Sequence, residues 1–261
     1  MLFYESDYGP QYYCFDNLSH FSSLVHGVFT RNGGTSEFNF KSLNVGLSSG
    51  DNKENVYLNR QMVAKTMGID EQNSVYLNQV HGKDFLVLKK DDLKNQNTRK
   101  SQQDADGIVT NIRGILTVMQ VADCQAIILY DPVNQVIANI HSGWRGSLLN
   151  IAGRGVDIMA EEFGTEASDI FAAISPSLGP CCAEFKNYRD EIPEKFWKYR
   201  TDKNGHHFDF WQLTCDQLRE KGVCSENIEI AGVCTPCASN LFYSYRKENV
   251  TGRFAVAAGL I

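Results

Sequence analysis

The chain has 261 residues, 43% of them hydrophobic and 21% charged, which is enough apolar side chain for a sizeable buried core. Twenty-five Lys and Arg against 31 Asp and Glu give a net charge of −6, and with no basic block a nucleic acid polymer is disfavoured as a partner, although a small anion held by one or two arginines is not. Six Pro and 21 Gly are too few for a collagen-like or low-complexity chain.

The start, MLFYESDYGPQYYCF, has no positive charge followed by an apolar run, so no secretory signal is expected. Its aromatics, Phe3, Tyr4, Tyr8, Tyr12, Tyr13 and Phe15, suit an edge strand or hairpin. Asp51 and Glu54 stand as N-cap and reciprocal partner of a helix over 52–67 that stops at Gly68. The stretch from Lys89 to Asp106 is almost wholly polar and reads as a solvated surface loop inside one domain, 1–261. Strands follow at Gly107 to Thr110, Ile115 to Val121, Ala126 to Tyr130 and Gln135 to His141, apolar enough to be covered on both faces. The longest apolar stretch, Gly114 to Tyr130, is broken by Gln120 and Asp123 and falls short of the ~20 residues that span a bilayer, so no membrane partner is expected. A helix-period face runs from Leu148 to Phe163, then a strand at Ile170 to Ile174, a helix at Trp211 to Lys221, a strand at Ile228 to Val233, a helix around Ala238 to Lys247 and a strand at Arg253 to Ala258. The class is α+β in a single compact unit. Eight Cys without an export signal indicate reduced thiols and a cytoplasmic location.

Three residues at strand ends carry the chemistry. His81 lies in Asn78-Gln79-Val80-His81-Gly82, Cys124 in Val121-Ala122-Asp123-Cys124, and His141 in Ile140-His141-Ser142-Gly143-Trp144-Arg145-Gly146. Two imidazoles and a thiolate suit Zn²⁺ with one coordination position left for water or substrate. No local spacing rule supports the set, and a packed cysteine with two structural histidines explains the same residues. Asp123 would orient a ligand or move a proton, or simply make a turn. Arg31 before Gly33-Gly34, together with Ser42 and Asn44, offers an anion cradle. Arg145 at a helix start offers another beside His141. Cys234-Thr235-Pro236-Cys237 has C-x-x-C spacing, but a zinc ribbon needs a second well-spaced pair, which Cys215 and Cys224 do not make, so neither this pair nor Cys181-Cys182 is assigned a site. His206-His207 reads as a solvated hairpin tip.

Taken together, these residues resemble the YfiH-like family, also called the laccase-domain or multicopper polyphenol oxidase family, whose members are described as purine nucleoside phosphorylases. The likeness runs from about His26 to Gly259 through His26-Gly27-Val28-Phe29-Thr30-Arg31, Ser42-Leu43-Asn44, Gln79-Val80-His81-Gly82, Asp104-Ala105-Asp106-Gly107, Ala122-Asp123-Cys124, His141 to Gly146, Gly179-Pro180 and Thr251-Gly252-Arg253-Phe254-Ala255. The resemblance implies a four-layer α/β/β/α arrangement with mixed β-sheets and one zinc on His81, Cys124 and His141. It also implies phosphorolysis of adenosine, inosine, guanosine and 5′-methylthioadenosine, and deamination of adenosine.

On that reading Asp123 is a proton shuttle, Arg31 or Arg145 holds phosphate, and Ser42 and Asn44 contact phosphate or ribose. Three competitors stay open. Two His and a Cys are also the equatorial ligands of a blue copper site, so copper-dependent phenol oxidation is one, although six His in all are too few for a multicopper set. A cysteine hydrolase acting on cell-wall precursors, with Cys124 as nucleophile and His141 as base, is the second. The third is a binding module with a structural metal.

Overall fold

The computed structural model describes residues 1–5, 9–89, 103–201 and 205–261. Most of the expected polar loop over 89–106, and residues 203–204 ahead of His206, lie outside that set.

Alternation of side chains along the strands divides the core. In the strand β7, Leu116–Val121, Met119 and Val121 face one way while Leu116 and Val118 face the other. In β8, Gln125–Asp131, Ala126, Ile128 and Tyr130 meet the first group, and Ile127 and Leu129 point outward. The two inward faces form a layer between two six-stranded sheets. One sheet contains β1 (Leu2–Tyr4), β2 (Tyr12–Cys14), β3 (Leu24–Phe29), β12 (Phe254–Leu260), β7 and β4 (Ser74–Tyr76), in that order. The other runs β11 (Ile228–Ile230), β10 (Phe171–Ile174), β8, β9 (Val136–Ser142), β6 (Gly107–Thr110) and β5 (Phe85–Leu88). Both are mixed: β4 beside β7, β5 beside β6 and β10 beside β11 are parallel, and the remaining pairs are antiparallel.

Outward faces are closed by helices. Lys53–Thr66 packs Val63 and Ala64 on the first sheet, and Ile151–Phe163 and Phe210–Glu220 cover the second, giving the expected α/β/β/α layers. One polar side chain crosses the inner layer: Asn139 in β9 donates to the carbonyls of Thr117 and Val256 in the opposite sheet. A one-residue slip of β9 would turn that amide, and His141 two positions on, to the wrong face.

Several elements differ from the sequence expectation. Asn52, not Asp51, caps the first long helix by accepting from the Glu54 N–H, because the Asp51 carboxylate already accepts from Ser36, Asn44 and the Asn52 N–H. The expected helix from Leu148 splits at Asn150, whose φ of 58° ends Trp144–Leu148 and whose side chain caps Ile151–Phe163. The expected helix around Ala238 to Lys247 is a turn followed by the short helix Tyr245–Glu248. Within it the Ser239 carbonyl accepts from the Arg31 guanidinium. Gly232, at φ 64°, ends β11 early. Among the described residues no helix is long and apolar enough to cross a membrane.

Candidate metal centre

Three adjacent strands of the second sheet end side by side, and their ends build the site. His141 is the penultimate residue of β9 and pairs across the ladder with Ala126; Cys124 immediately precedes β8. Asp106 immediately precedes β6, and its carbonyl accepts the His141 N–H at 2.7 Å, extending the ladder by one step. His81 comes from the connection between β4 and β5. Its imidazole is on the exposed side of the group, with Nε2 3.7 Å from the Cys124 Sγ and the ring nearly perpendicular to that of His141. The donor atoms of His81, Cys124 and His141 all lie within 4.8 Å of one another.

Two of these positions need a backbone that L-residues seldom adopt. His81 has φ 61° and Asp123, next to Cys124, φ 80°. Each is held by hydrogen bonds. The Asp106 carboxylate accepts the N–H groups of His81 at 3.0 Å and Gly82 at 2.6 Å and also meets His141 Nδ1 at 2.7 Å. One fully buried carboxylate therefore fixes the His81 loop and the His141 ring together, leaving His141 Nε2 for the cavity side. Gly143 lets the chain pass close: a β-carbon there would fall 2.7 Å from the His81 ring and 3.1 Å from the Cys124 sulfur.

Electrostatics favour a thiolate. Burial alone would raise the Cys124 thiol, but the His141 and His81 imidazoles outweigh it and pull it down to about 6. Burial likewise opposes charge on His141, yet Cys124 and Asp106 push it up to about 9. For Asp106 burial is again the opposing effect, and the hydrogen bonds from His141, Gly82 and His81 hold its carboxyl below the usual range.

The triad opens into a cavity of about 680 Å³, the size of a small-molecule site. Its wall carries Gln79, Gln120, Ser48 and Ser49 as polar groups, Trp144, Phe185, Phe210 and Tyr245 as aromatic ones, and three arginines, Arg145, Arg246 and Arg253. This is a concentrated positive charge in an acidic protein. Burial holds Arg253 below the ordinary arginine value against the charges of Cys124 and Asp123.

The expected anion cradle is elsewhere. Arg31 is absent from the cavity wall: its guanidinium pairs with Glu248 at 2.7 Å, donates to the Ser239 and Lys41 carbonyls and lies 4.4 Å from the Tyr243 ring centre. Ser42 accepts from the Gly34 N–H and donates to the Arg31 carbonyl. The fully buried Asn44 donates to Ser49 and Asp51 and accepts from Gly46 and Arg253 N–H. These three build the loop behind the cavity and do not line it. Asp123 does reach the wall, but both carboxylate oxygens are engaged, one by the Thr235 hydroxyl at 2.7 Å and one by the Arg246 N–H at 2.6 Å. Sequence reasoning gave no role to Asp106, Arg246 or Arg253. The signal for Asp106 was its place directly before a strand, the same position that singled out Cys124. The structure also gathers Cys181, Cys182, Cys234 and Cys237, with their sulfurs within 4.8 Å of one another.

The family model described as multi-copper polyphenol oxidoreductase laccase matches residues 25–261. A protein of Geobacillus stearothermophilus named purine nucleoside phosphorylase YlmD is 32% identical over 92% of this chain and 91% of its own length. One of Bacteroides thetaiotaomicron, named purine nucleoside phosphorylase, is 31% identical over 90% of this chain and 91% of its own. The crystal structure of the Bacillus licheniformis hypothetical protein YfiH matches over 99% of both chains, with a TM-score of 0.86 at 27% identity.

Proposed function

The chain belongs to the multi-copper polyphenol oxidoreductase laccase family, and from that premise we propose that it is a zinc-dependent purine nucleoside phosphorylase that also deaminates adenosine. The observation that carries the reading is the joining, in one cavity, of the His81, Cys124, His141 donor set with arginines and aromatic rings. Relatives named purine nucleoside phosphorylase support the substrate class.

The donor set fits zinc. Two imidazoles and a sulfur drawn toward the thiolate are borderline ligands, and His141 has the carboxylate partner on its other nitrogen that zinc-binding histidines usually have. Copper of the blue type is less well served, since among the described residues no methionine lines the cavity to act as axial ligand and His81 and His141 are the histidines on its wall. Zinc, when bound, supplies a Lewis acid and lowers the pKa of water.

The chain's own residues do the rest. Adenosine, inosine, guanosine and 5′-methylthioadenosine present a flat base to Phe185 and Tyr245 and a ribose to the polar side of the cavity. Arg145, with its guanidinium 4.6 Å from the Trp144 ring centre, holds inorganic phosphate, and Arg246 and Arg253 supply further positive charge. An oxygen of hydrogen phosphate attacks ribose C1′, the glycosidic bond breaks with its electron pair going to the base, and the proton that the phosphate gives up completes the free purine. In deamination, water replaces the C6 amino group and ammonia leaves. Asp106 positions His81 and His141, and Asp123, with both oxygens accepting, fastens the loops around Cys124. We place the reaction in the cytoplasm, a reading supported by eight cysteines free of disulfides.

The test is product identification from adenosine and phosphate in the purified protein and its Cys124→Ala variant. Adenine with ribose 1-phosphate, and inosine, are expected from the first and neither from the second. Phosphorolysis surviving in a folded Cys124→Ala protein sinks the shared centre. The Cys124–His141 charge pair favours one second reading, a cysteine hydrolase. Covalent labelling of Cys124 that substrate blocks and chelators do not would select it.

A further inference from the structure

Beside the cavity, two loops far apart in the chain are zipped together. Ser177 and Cys234 form a parallel bridge: the Ser177 N–H donates to the Val233 carbonyl at 3.1 Å and the Thr235 N–H to the Ser177 carbonyl at 3.0 Å. Gly179 permits the approach, since a β-carbon there would sit 2.9 Å from the Cys234 β-carbon and 2.7 Å from the Trp211 ring. Each loop then contributes two cysteines. After Gly179 the chain tightens, with the Cys182 and Ala183 N–H groups on the Gly179 carbonyl, and turns Cys181 and Cys182 toward the second loop. In that loop Ala238 N–H closes on the Cys234 carbonyl, which brings Cys237 back over Cys234.

The sulfurs meet. Cys237 Sγ is 3.7 Å from Cys181 Sγ and 3.6 Å from Cys182 Sγ, and all four donors lie within 4.8 Å. Four thiolates ~2.3 Å from a common centre at tetrahedral angles stand ~3.8 Å apart along each edge. The separations of Cys237 from Cys181 and Cys182 match that edge, and a bound of 4.8 Å on every pair suits a mononuclear tetrahedral site. This spacing leaves too little room for the irons and sulfides of an iron–sulfur cluster, and it is far longer than the ~2.05 Å of a disulfide.

We propose that Cys181, Cys182, Cys234 and Cys237 bind a structural zinc ion, separate from the His81, Cys124, His141 centre. Four protein sulfurs fill the coordination sphere, so no position is left for substrate, and binding releases the thiol protons. Cys234 is buried while Cys181 and Cys237 are exposed, which gives the ion an entry path from solvent. The site clamps the loop that carries Thr235, and Thr235 holds Asp123 next to Cys124. This inference does not rest on the proposed enzymatic activity.

The experiment is metal analysis of purified wild type, of Cys124→Ala/His81→Ala, and of Cys181→Ser/Cys237→Ser. One zinc per chain persisting in the first variant, and one fewer than wild type in the second, is expected. If the triad holds no metal, wild type itself has one zinc, and that zinc is still lost in Cys181→Ser/Cys237→Ser, so the two readings fail separately. Should the second variant not fold, alkylation of the wild-type protein followed by peptide mapping gives the answer: Cys181 and Cys237 are protected until a chelator is added. A Cys124→Ala/His81→Ala protein without zinc, equal alkylation with and without chelator, iron in place of zinc, or a disulfide joining Cys237 to Cys181 or Cys182 would each overturn it.

Discussion

Asp106 and His141 meet at 2.7 Å, carboxylate oxygen to Nδ1, with both side chains buried. The contact fixes which imidazole nitrogen is left for a metal, and the same carboxylate holds the backbone of His81 in its left-handed conformation. Asp106→Asn keeps the shape and removes the charge. Zinc affinity is expected to fall about 10- to 100-fold, the usual cost of losing such an outer partner. Competition with a chromophoric chelator measures it, and an unchanged dissociation constant would show that Asp106 serves folding alone.

The neighbouring histidines favour the Cys124 thiolate, so the metal-free protein gives a direct readout. Alkylation of Cys124, followed by peptide mapping, is expected to rise with pH to a midpoint near 6 and then level off, because the thiolate is the form present above that value. A midpoint near the ~8.5 of a free thiol would mean that the imidazoles do not stabilise the anion. In Asp106→Asn, where His141 loses a group that favours its charged form, the midpoint moves upward.

Variants of Arg145 and Arg31 test the proposed phosphate site against a scaffold role. Arg145→Ala is expected to raise KM for phosphate about tenfold, some 1.4 kcal/mol, with KM for the nucleoside little changed. Arg31→Ala leaves Glu248 without its guanidinium partner, so it should lower the urea midpoint and leave KM for phosphate alone. The reverse pattern would return the anion site to the loop read from the sequence.

The contrast between these arginines shows what the sequence makes legible. Strands β6 to β9 announce themselves because both faces are covered and their apolar runs are nearly unbroken. His81, Cys124 and His141 stand out as metal-ligating residue types at the ends of such runs, and the structure brings them together. Arg31 looked like an anion ligand for a local reason, its paired glycines. Its actual partner, Glu248, sits at the other end of the chain, as the last residue of the short helix Tyr245–Glu248. Arg145 has a local signal, its helix start beside His141, whereas the entry of Arg246 and Arg253 is set by how β12 and the chain before it are laid against β7, a long-range fact with no local trace. The four-cysteine cluster was hidden likewise: neither Cys181-Cys182 nor Cys234-x-x-Cys237 is a site alone, and only the Ser177–Cys234 bridge brings them together.

His26 supplies a stability prediction that depends on no metal. It is buried in β3, its Nε2 accepts the Phe15 N–H at 2.8 Å, and its ring lies against Phe15. Burial pulls its pKa down from 6.5 to about 4. The folded protein therefore keeps His26 neutral where the unfolded chain already takes up a proton, so stability is full above pH 6.5 and is lost as pH falls toward 4. At about 1.36 kcal/mol for each pH unit between the two values, the loss amounts to roughly 3 kcal/mol at most. His26→Gln retains an acceptor for the Phe15 N–H without titrating in that window. Urea midpoints at pH 7 and pH 4.5 should therefore fall further in wild type than in the variant. Equal losses in the two proteins would assign the acid sensitivity to other groups; Asp106 is not among them at pH 4.5, since its carboxyl is held low and its stabilisation is lost only as pH drops below the ordinary carboxylate value.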